Sequence, residues 1–248
     1  MTIKTDMQGT LGRLTFANPT RHNALTQSDW LAIRTALEKM LRAKARVIIV
    51  SGEGASFCAG ADISEFGTVR KDAATARIYE AANVDAFAAL RDCPVPTIAA
   101  IDTHCMGGGF GLAAVCDLRI ATPRAKFAVP PAKLGLAYPV EAIGDIVSAL
   151  GVQNAKTMLM TARRYHAPSM KAMGFLLEVV EEHALHPRAE DLATEIASLA
   201  PLTHRATKAA IHGTSDAKAL ADATFESADY AEGRAAFKDK RTPQFEGR

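Results

Sequence analysis

A chain of 248 residues, 48 % hydrophobic and 23 % charged, has enough material for one large core or a core with an appendage. Lys and Arg total 29 against 27 Asp and Glu, a balance that gives no electrostatic drive toward nucleic acid or an anionic membrane. Aromatic residues are only 6 % of the chain, with the single tryptophan Trp30, which argues against base-stacking platforms.

In chain order, Gly9 to Phe16 alternates around Leu11, Leu14 and Phe16 and is expected to be a strand, broken by Asn18-Pro19. Ser28 or Asp29 is placed to cap a helix carrying Leu31, Leu37, Met40 and Leu41 on one face. Arg46 to Val50 is a continuously apolar run of the kind buried on both faces of a sheet. A glycine-bearing loop, Ser51 to Gly60, follows it. An Ala-rich helix is predicted from Val69 to Leu90, stopped by Pro94 and Pro96. Thr97 to Ile101 is a second buried strand, and Gly107-Gly108-Gly109 opens a helix running through Val115. Leu118 to Ala121 and Lys126 to Val129 are short strands. From Val140 onward the pattern is helical, with Pro168, Pro187 and Pro201 near helix starts. Strand–helix alternation followed by helices predicts an α/β fold: a right-handed βαβ core with a helical C-terminal extension.

The cysteines Cys58, Cys93, Cys105 and Cys116 form no CxxC pair and have no zinc-type His spacing, so they are expected to be small buried hydrophobes in a reducing compartment. The segment Met1 to Gly9 is too polar for a signal peptide, and no apolar run reaches membrane-spanning length; a cytoplasmic protein is expected. Gly109 to Ala114 fits a relaxed GxGxxA fingerprint, but no acidic residue follows at the spacing a ribose needs. GK[ST], HExxH and GxSxG are absent, and the histidines have no metal-ligand spacing. His104, just before the glycine run, is expected to be structural, with catalysis as its secondary reading.

Two loops remain: Phe57-Cys58-Ala59-Gly60-Ala61-Asp62-Ile63 and Gly107-Gly108-Gly109. Each follows a buried strand, and each is able to present a free amide N–H. Two such amides converging on one point make an oxyanion hole.

These residues resemble the crotonase superfamily, the enoyl-CoA hydratase/isomerase family. Asn18-Pro19-Thr20-Arg21-His22-Asn23-Ala24-Leu25 is similar to its N-P-x-x-x-N-A-L segment, and Phe57 to Ile63 to its F-x-x-G-A-D-I loop. Thr97 to Ile101, Gly107 to Gly109, and Cys116-Asp117 follow in the family order, as do Ala125-Lys126-Phe127, Leu134-Gly135, Thr161 to Arg164 and Met173-Gly174. The resemblance implies a crotonase (ClpP-like) spiral of ββα turns over residues 1–195 and a helical trimerisation region over 196–248. It implies a homotrimer or dimer of trimers. It also implies an acyl-CoA thioester as ligand, with no cofactor beyond that coenzyme A and no metal.

By the same resemblance the amides of Ala61 and Gly108 form the oxyanion hole, and Ala59, Asp62 and Ile63 meet the coenzyme. Gly107 and Pro131 border the same site. Arg21 is a candidate phosphate partner, with a solvated surface arginine as the equal alternative. Glu232 to Lys240 resembles a tail motif in which Phe237 and Lys240 reach the coenzyme, in some relatives across a subunit boundary. The resemblance also exposes a departure. Hydratases of the family carry two glutamates, at positions occupied here by Gly111 and Pro131. Neither residue can move a proton from its side chain. Pro131 to Tyr138 is similar to a segment of methylmalonyl-CoA decarboxylases. Tyr138 and Glu141 are therefore the candidate catalytic side chains, set against a partly buried ring and a helix N-terminal acid. Isomerase or decarboxylase chemistry is expected, with a hydratase using other groups, or an acyl-CoA binding protein without catalysis, as alternatives.

Overall fold

The computed structural model describes residues 2–248; Met1, where the segment read as too polar for a signal begins, lies outside the described residues. The chain starts as a hairpin of β1 (Ile3–Gln8) and β2 (Leu11–Phe16), so the strand expected from Gly9 begins two residues later. Gly9-Thr10 is its turn, and the alternately exposed edge strand β1 went unread because its outward residues are polar. Helix α1 (Gln27–Arg42) follows. Its cap is Thr26 rather than Ser28 or Asp29. The Thr26 hydroxyl accepts from Asp29 N, while the Asp29 carboxylate accepts from Thr26 N at 3.1 Å, a closed capping box. Trp30, Ile33, Leu37 and Met40 make the buried stripe, and Leu31, one position off that stripe, is exposed.

Strand β3 (Val47–Gly52) leads through the first glycine loop to a single turn, α2 (Phe66–Val69), and then α3 (Ala73–Arg91). The expected start at Val69 is displaced because Asp72 caps α3 by accepting from Thr75 N at 2.8 Å. Next come β4 (Thr97–Ile101), the short β5 (His104–Met106), α4 (Gly108–Val115), β6 (Leu118–Ala121) and β7 (Lys126–Ala128). The helical remainder comprises α5 (Val140–Leu150), α6 (Val152–Thr161), α7 (Ala167–Ala172), α8 (Leu185–Ala197), α9 (Pro201–His212), α10 (Ala217–Thr224) and α11 (Ala228–Asp239). Two-residue strands β8 (Tyr165–His166) and β9 (Glu178–Val179) interrupt it, too short to leave a periodic signal.

The larger sheet has the order β1-β2-β3-β4-β6-β9, parallel from β2 onward; β5, β7 and β8 form a second, smaller sheet. Strand β3 shows why its sequence is apolar throughout. Ile48 and Val50 face the core beneath α1, α3 and α4, whereas Val47 and Ile49 face Leu185, Ala189 and Leu192 of α8. The boundary expected at 195/196 falls inside α8. Beyond it, Lys208 of α9 reaches Asp117 at 2.7 Å, and Asp117 in turn accepts from Thr97 N at 2.8 Å, tying the C-terminal helices to the sheet. All four cysteines are buried and free. No helix among the described residues is long and apolar enough to cross a membrane.

Burial raises the pKa of Asp29, but hydrogen bonds from Thr2 and Thr26 outweigh it and hold the carboxyl below its ordinary value. A depressed native pKa adds stability above the unfolded pKa and loses it as pH falls through the native one. Thr26→Ala is therefore expected to lower the unfolding free energy by about 1 kcal/mol at neutral pH. In urea titrations the gap between the two proteins should narrow below the ordinary aspartate value of 3.8. A gap that stays constant into acid would show that Asp29 takes no part.

Candidate functional site

The two glycine loops are clamped side by side. Cys58 N donates to His104 O at 2.8 Å, and Met106 N donates to Cys58 O at 3.0 Å, so the first loop runs as a strand against β5. On its other side Ala59 N donates to His22 O at 2.9 Å, Leu25 N to Gly60 O at 2.8 Å and Asp62 N to Leu25 O at 2.8 Å. The Asn18–Leu25 motif thus forms the outer wall. Asn23, fully buried, holds that wall by donating to Glu53 O and Ser56 O and accepting from Asn18 N.

This hydrogen bonding leaves one amide of the loop over. Ala59 and Asp62 spend theirs on carbonyls and Gly60 points its own at Cys58 Sγ, while Ala61 N–H has no acceptor among the described residues. In the second loop Gly107 N donates to Ala128 O at 2.8 Å, and the next amide, Gly108 N–H at the first turn of α4, is likewise free. Close backbone packing brings the two loops together. A Cβ on Gly60, which sits at φ +95°, would lie 2.7 Å from Met106 O and 3.1 Å from Gly108 N. One on Gly109 would lie 2.3 Å from Cys58 O. Gly107, at φ +53° and ψ −119°, makes the reversal that aims α4 at the first loop.

Ala61 and Gly108, the residues that carry the two free amides, line one cleft with about 620 Å³ of unfilled space, part of it continuous with solvent. Its walls are largely apolar: Phe66, Phe87, Pro130, Leu134 and Leu136 contribute most of them. Tyr138 closes the floor. Its ring stacks on Phe87 at 6.4 Å, its hydroxyl donates to Gly107 O at 3.3 Å, and burial pushes its pKa far up, so it stays a neutral phenol. A Cβ on Gly111 would meet that hydroxyl at 2.3 Å and Phe87 Cζ at 2.8 Å. The tyrosine occupies the room into which a side chain at 111 would grow. Among the described residues lining the cleft there is no Asp, Glu, His or Lys, and Arg70 and Tyr138 are the ionisable ones.

The sequence model for enoyl-CoA hydratase/isomerase matches residues 6–248. The chain belongs to this family. A mouse mitochondrial methylglutaconyl-CoA hydratase is 32 % identical over 218 residues, covering 82 % of this chain and 69 % of that protein. A solved member of the enoyl-CoA hydratase/isomerase family from Hyphomonas neptunium superposes with a TM-score of 0.95 at 34 % identity, covering 100 % of this chain and 98 % of the other. An enoyl-CoA hydratase from Bacillus anthracis superposes at 0.92 with 28 % identity, each chain fully covered. The crotonase fold expected from the sequence is therefore the fold of this chain.

Against that family frame, the expected site residues fall into two groups. Ala59, Ala61, Ile63, Gly107, Gly108, Pro131 and Tyr138 line the cleft. Asp62 and Arg21 stand beside it and engage each other: Arg21 Nη1 donates to Asp62 Oδ1 at 2.9 Å and to Ser64 Oγ at 2.8 Å. The Ser64 hydroxyl bond is the largest influence on Asp62; with the Ser64 amide and Arg21 it outweighs the opposing effect of burial and holds the carboxyl below the usual range. Glu141 is not brought to the cleft. It lies in the first turn of α5 and borders a separate groove with Arg77, Glu80 and Asp85 of α3, because the chain turns at Pro139 and directs the helix's first residues outward. Phe237 and Lys240, at the end of α11, are exposed and line no part of the cleft within this chain.

His104 is not among the residues lining the cleft. Its Nδ1 pairs with Ser56 Oγ and Thr103 Oγ1 at 3.0 Å each, and its ring lies 4.5 Å from His22. Sequence reasoning missed Arg70, Asn83 and Phe87. Tyr79, Asn83 and Phe87 are spaced four apart, a stripe through α3 that was visible as periodicity but masked by the surrounding alanines.

Gly111→Ala is expected to cost roughly 1–3 kcal/mol in urea unfolding by overpacking. In a Tyr138→Phe background, which removes the nearest obstructing atom, the cost should fall, giving a coupling above about 0.5 kcal/mol in a double-mutant cycle. Additive costs would mean that the phenol oxygen does not close this position.

Proposed function

We propose that the chain is an acyl-CoA enzyme that generates a thioester enolate, with the Ala61 and Gly108 amides holding the enolate oxygen. The observation that carries this reading is the pair of unspent backbone donors facing an apolar cleft that contains no carboxylate. Two fixed amides, one at a helix N-terminus, stabilise a developing oxyanion by several kcal/mol, on the order of 3 for each donor. The apolar walls beside the donors lower the local dielectric and strengthen both hydrogen bonds.

The absence of a base in the cleft favours decarboxylation over isomerisation and hydration. Isomerisation needs a group that removes a proton and returns it elsewhere, and hydration needs one that activates water. Glu141, the residue best suited to that work, faces another groove. Loss of CO₂ from a malonyl-type thioester requires no base: the bond from the α-carbon to the carboxylate breaks, its electron pair enters the thioester carbonyl, and solvent later protonates the α-carbon. Tyr138, kept neutral by burial, has one O–H, which donates to Gly107 O here; turned to the departing carboxylate, it would orient that group. Hydration is the second reading, favoured by the names of the relatives. The coenzyme would extend past Ala59, Asp62 and Ile63 toward Arg21. Phe237 and Lys240 are assigned to a coenzyme contact across a boundary between copies of the chain in a trimer or a dimer of trimers.

Malonyl-CoA and methylmalonyl-CoA are expected to lose CO₂ on incubation with the enzyme, followed by mass spectrometry. Tyr138→Phe should slow that reaction at least about tenfold. Crotonyl-CoA hydration should fall well short of the ordinary range of roughly 1–10³ per second. A hydration rate within that range, with malonyl thioesters untouched, would overturn the decarboxylase reading.

A further inference from the structure

Two residues that line the cleft each carry a buried side-chain donor with no partner among the described residues. Asn83, on the inner face of α3, is 7 % exposed, and its Nδ2 has no partner. The Tyr79 hydroxyl, one turn earlier, accepts from Trp30 Nε1 at 3.0 Å and donates to Leu25 O at 3.4 Å. Arg70 lines the same cleft, and its Nε is buried and equally unpartnered. Its guanidinium rests on two rings, 5.0 Å from the centre of Phe66 and 4.8 Å from that of Tyr79. The nearby carboxylate Glu65 is turned to Gln27 N at 2.9 Å, and no ion pair forms to Arg70 among the described residues.

A buried donor left unsatisfied is destabilising. Two in one otherwise apolar cleft, one of them on a cation, describe a receptor whose occupant has oxygen acceptors and negative charge. The two rings hold the guanidinium in place and no carboxylate pairs with it among the described residues, an arrangement that suits an anionic occupant and does nothing for an alkyl chain.

We infer that Arg70 and Asn83 bind a carboxylate on the acyl group, so that the enzyme selects CoA thioesters of dicarboxylic acids over those of simple fatty acids. The inference rests on the reading of the cleft as an acyl-CoA site and adds the residues that would select for an acyl carboxylate. The pair acts on affinity. Its charge by itself opposes CO₂ loss from a carboxylate it holds, so any gain to turnover comes through the alignment it imposes. The selectivity is a positioning property and is read as a ratio of affinities rather than as activity.

The test is calorimetric binding of chain-matched thioesters to the full-length protein: succinyl-CoA against valeryl-CoA, and glutaryl-CoA against hexanoyl-CoA. At least one dicarboxylic member is expected to bind about tenfold or more tightly than its match, the worth of one charged hydrogen bond. Arg70→Met, which keeps the stem over the rings, should bring that ratio to one or below, and Arg70→Lys should retain part of it. Asn83→Asp, placing a like charge against the ligand, should invert it. Circular dichroism on each variant separates lost selectivity from lost fold. Equal binding of both members of each pair, or an unchanged ratio in Arg70→Met, overturns the inference while leaving the acyl-CoA site intact. Failure of every thioester to bind overturns the site reading itself, and the inference with it.

Discussion

Backbone presses on backbone between the two glycine loops, and the rest of the site depends on that contact. Met106 O and Gly108 N sit where a Cβ of residue 60 would be, and Cys58 O sits where one of residue 109 would be. No side chain can be interposed there without pushing the loops apart. The hydrogen bonds of Cys58 to β5 and of Ala59, Gly60 and Asp62 to the His22–Leu25 wall set the register, so that Ala61 is the residue whose amide is left over. A shift of one residue would spend that donor on Leu25 and free a different one. The position of the free amide is thus a consequence of strand alternation rather than of any property of alanine.

The same contact sets the electrostatic character of the cleft. Helix α4 is apolar throughout and buried from Gly109 to Val115, so its N-terminal partial charge is not screened by neighbouring acids. Tyr138 fills the space beside Gly111 and contributes a neutral donor. Positive potential from a helix end, two amides and Arg70 therefore meets no counter-charge within the cleft. Such an arrangement is costly while empty and favours an occupant that is anionic or becomes so during reaction.

Much of this was legible in the sequence because it depends on backbone. The glycine loops, the strands buried on both faces and the Asn-Pro segment leave patterns that do not require knowing which distant residues touch. The order of motifs was enough to indicate the family, and the cleft does gather Ala61, Gly108, Pro131 and Tyr138. What stayed hidden depends on side-chain direction. Tyr138 and Glu141 are three positions apart, but Tyr138 lies before the turn at Pro139 and faces in, whereas Glu141 lies in the helix beyond it and faces out. Asn83 reads as one polar residue in an Ala-rich helix until Phe87 and Tyr79 are seen to enclose it. Arg70 lies in the break between α2 and α3, at the start of the span where the helix from Val69 was expected, so its direction is set by that break and not by the helical period. The edge strand β1 and the three-residue β5 were missed for a simpler reason: polar outward residues in one, and brevity in the other.

Trp30 sits directly beneath Gly108, its ring carbons at the distance where a Cβ on that glycine would collide, and its Nε1 hydrogen bonds to Tyr79 under the cleft. It is also the chain's one indole. Every photon the protein emits on tryptophan excitation therefore originates beneath the Gly107–Gly109 loop, in a fully buried setting. The molecule carries a built-in optical reporter whose signal is free of contributions from any other part of the fold.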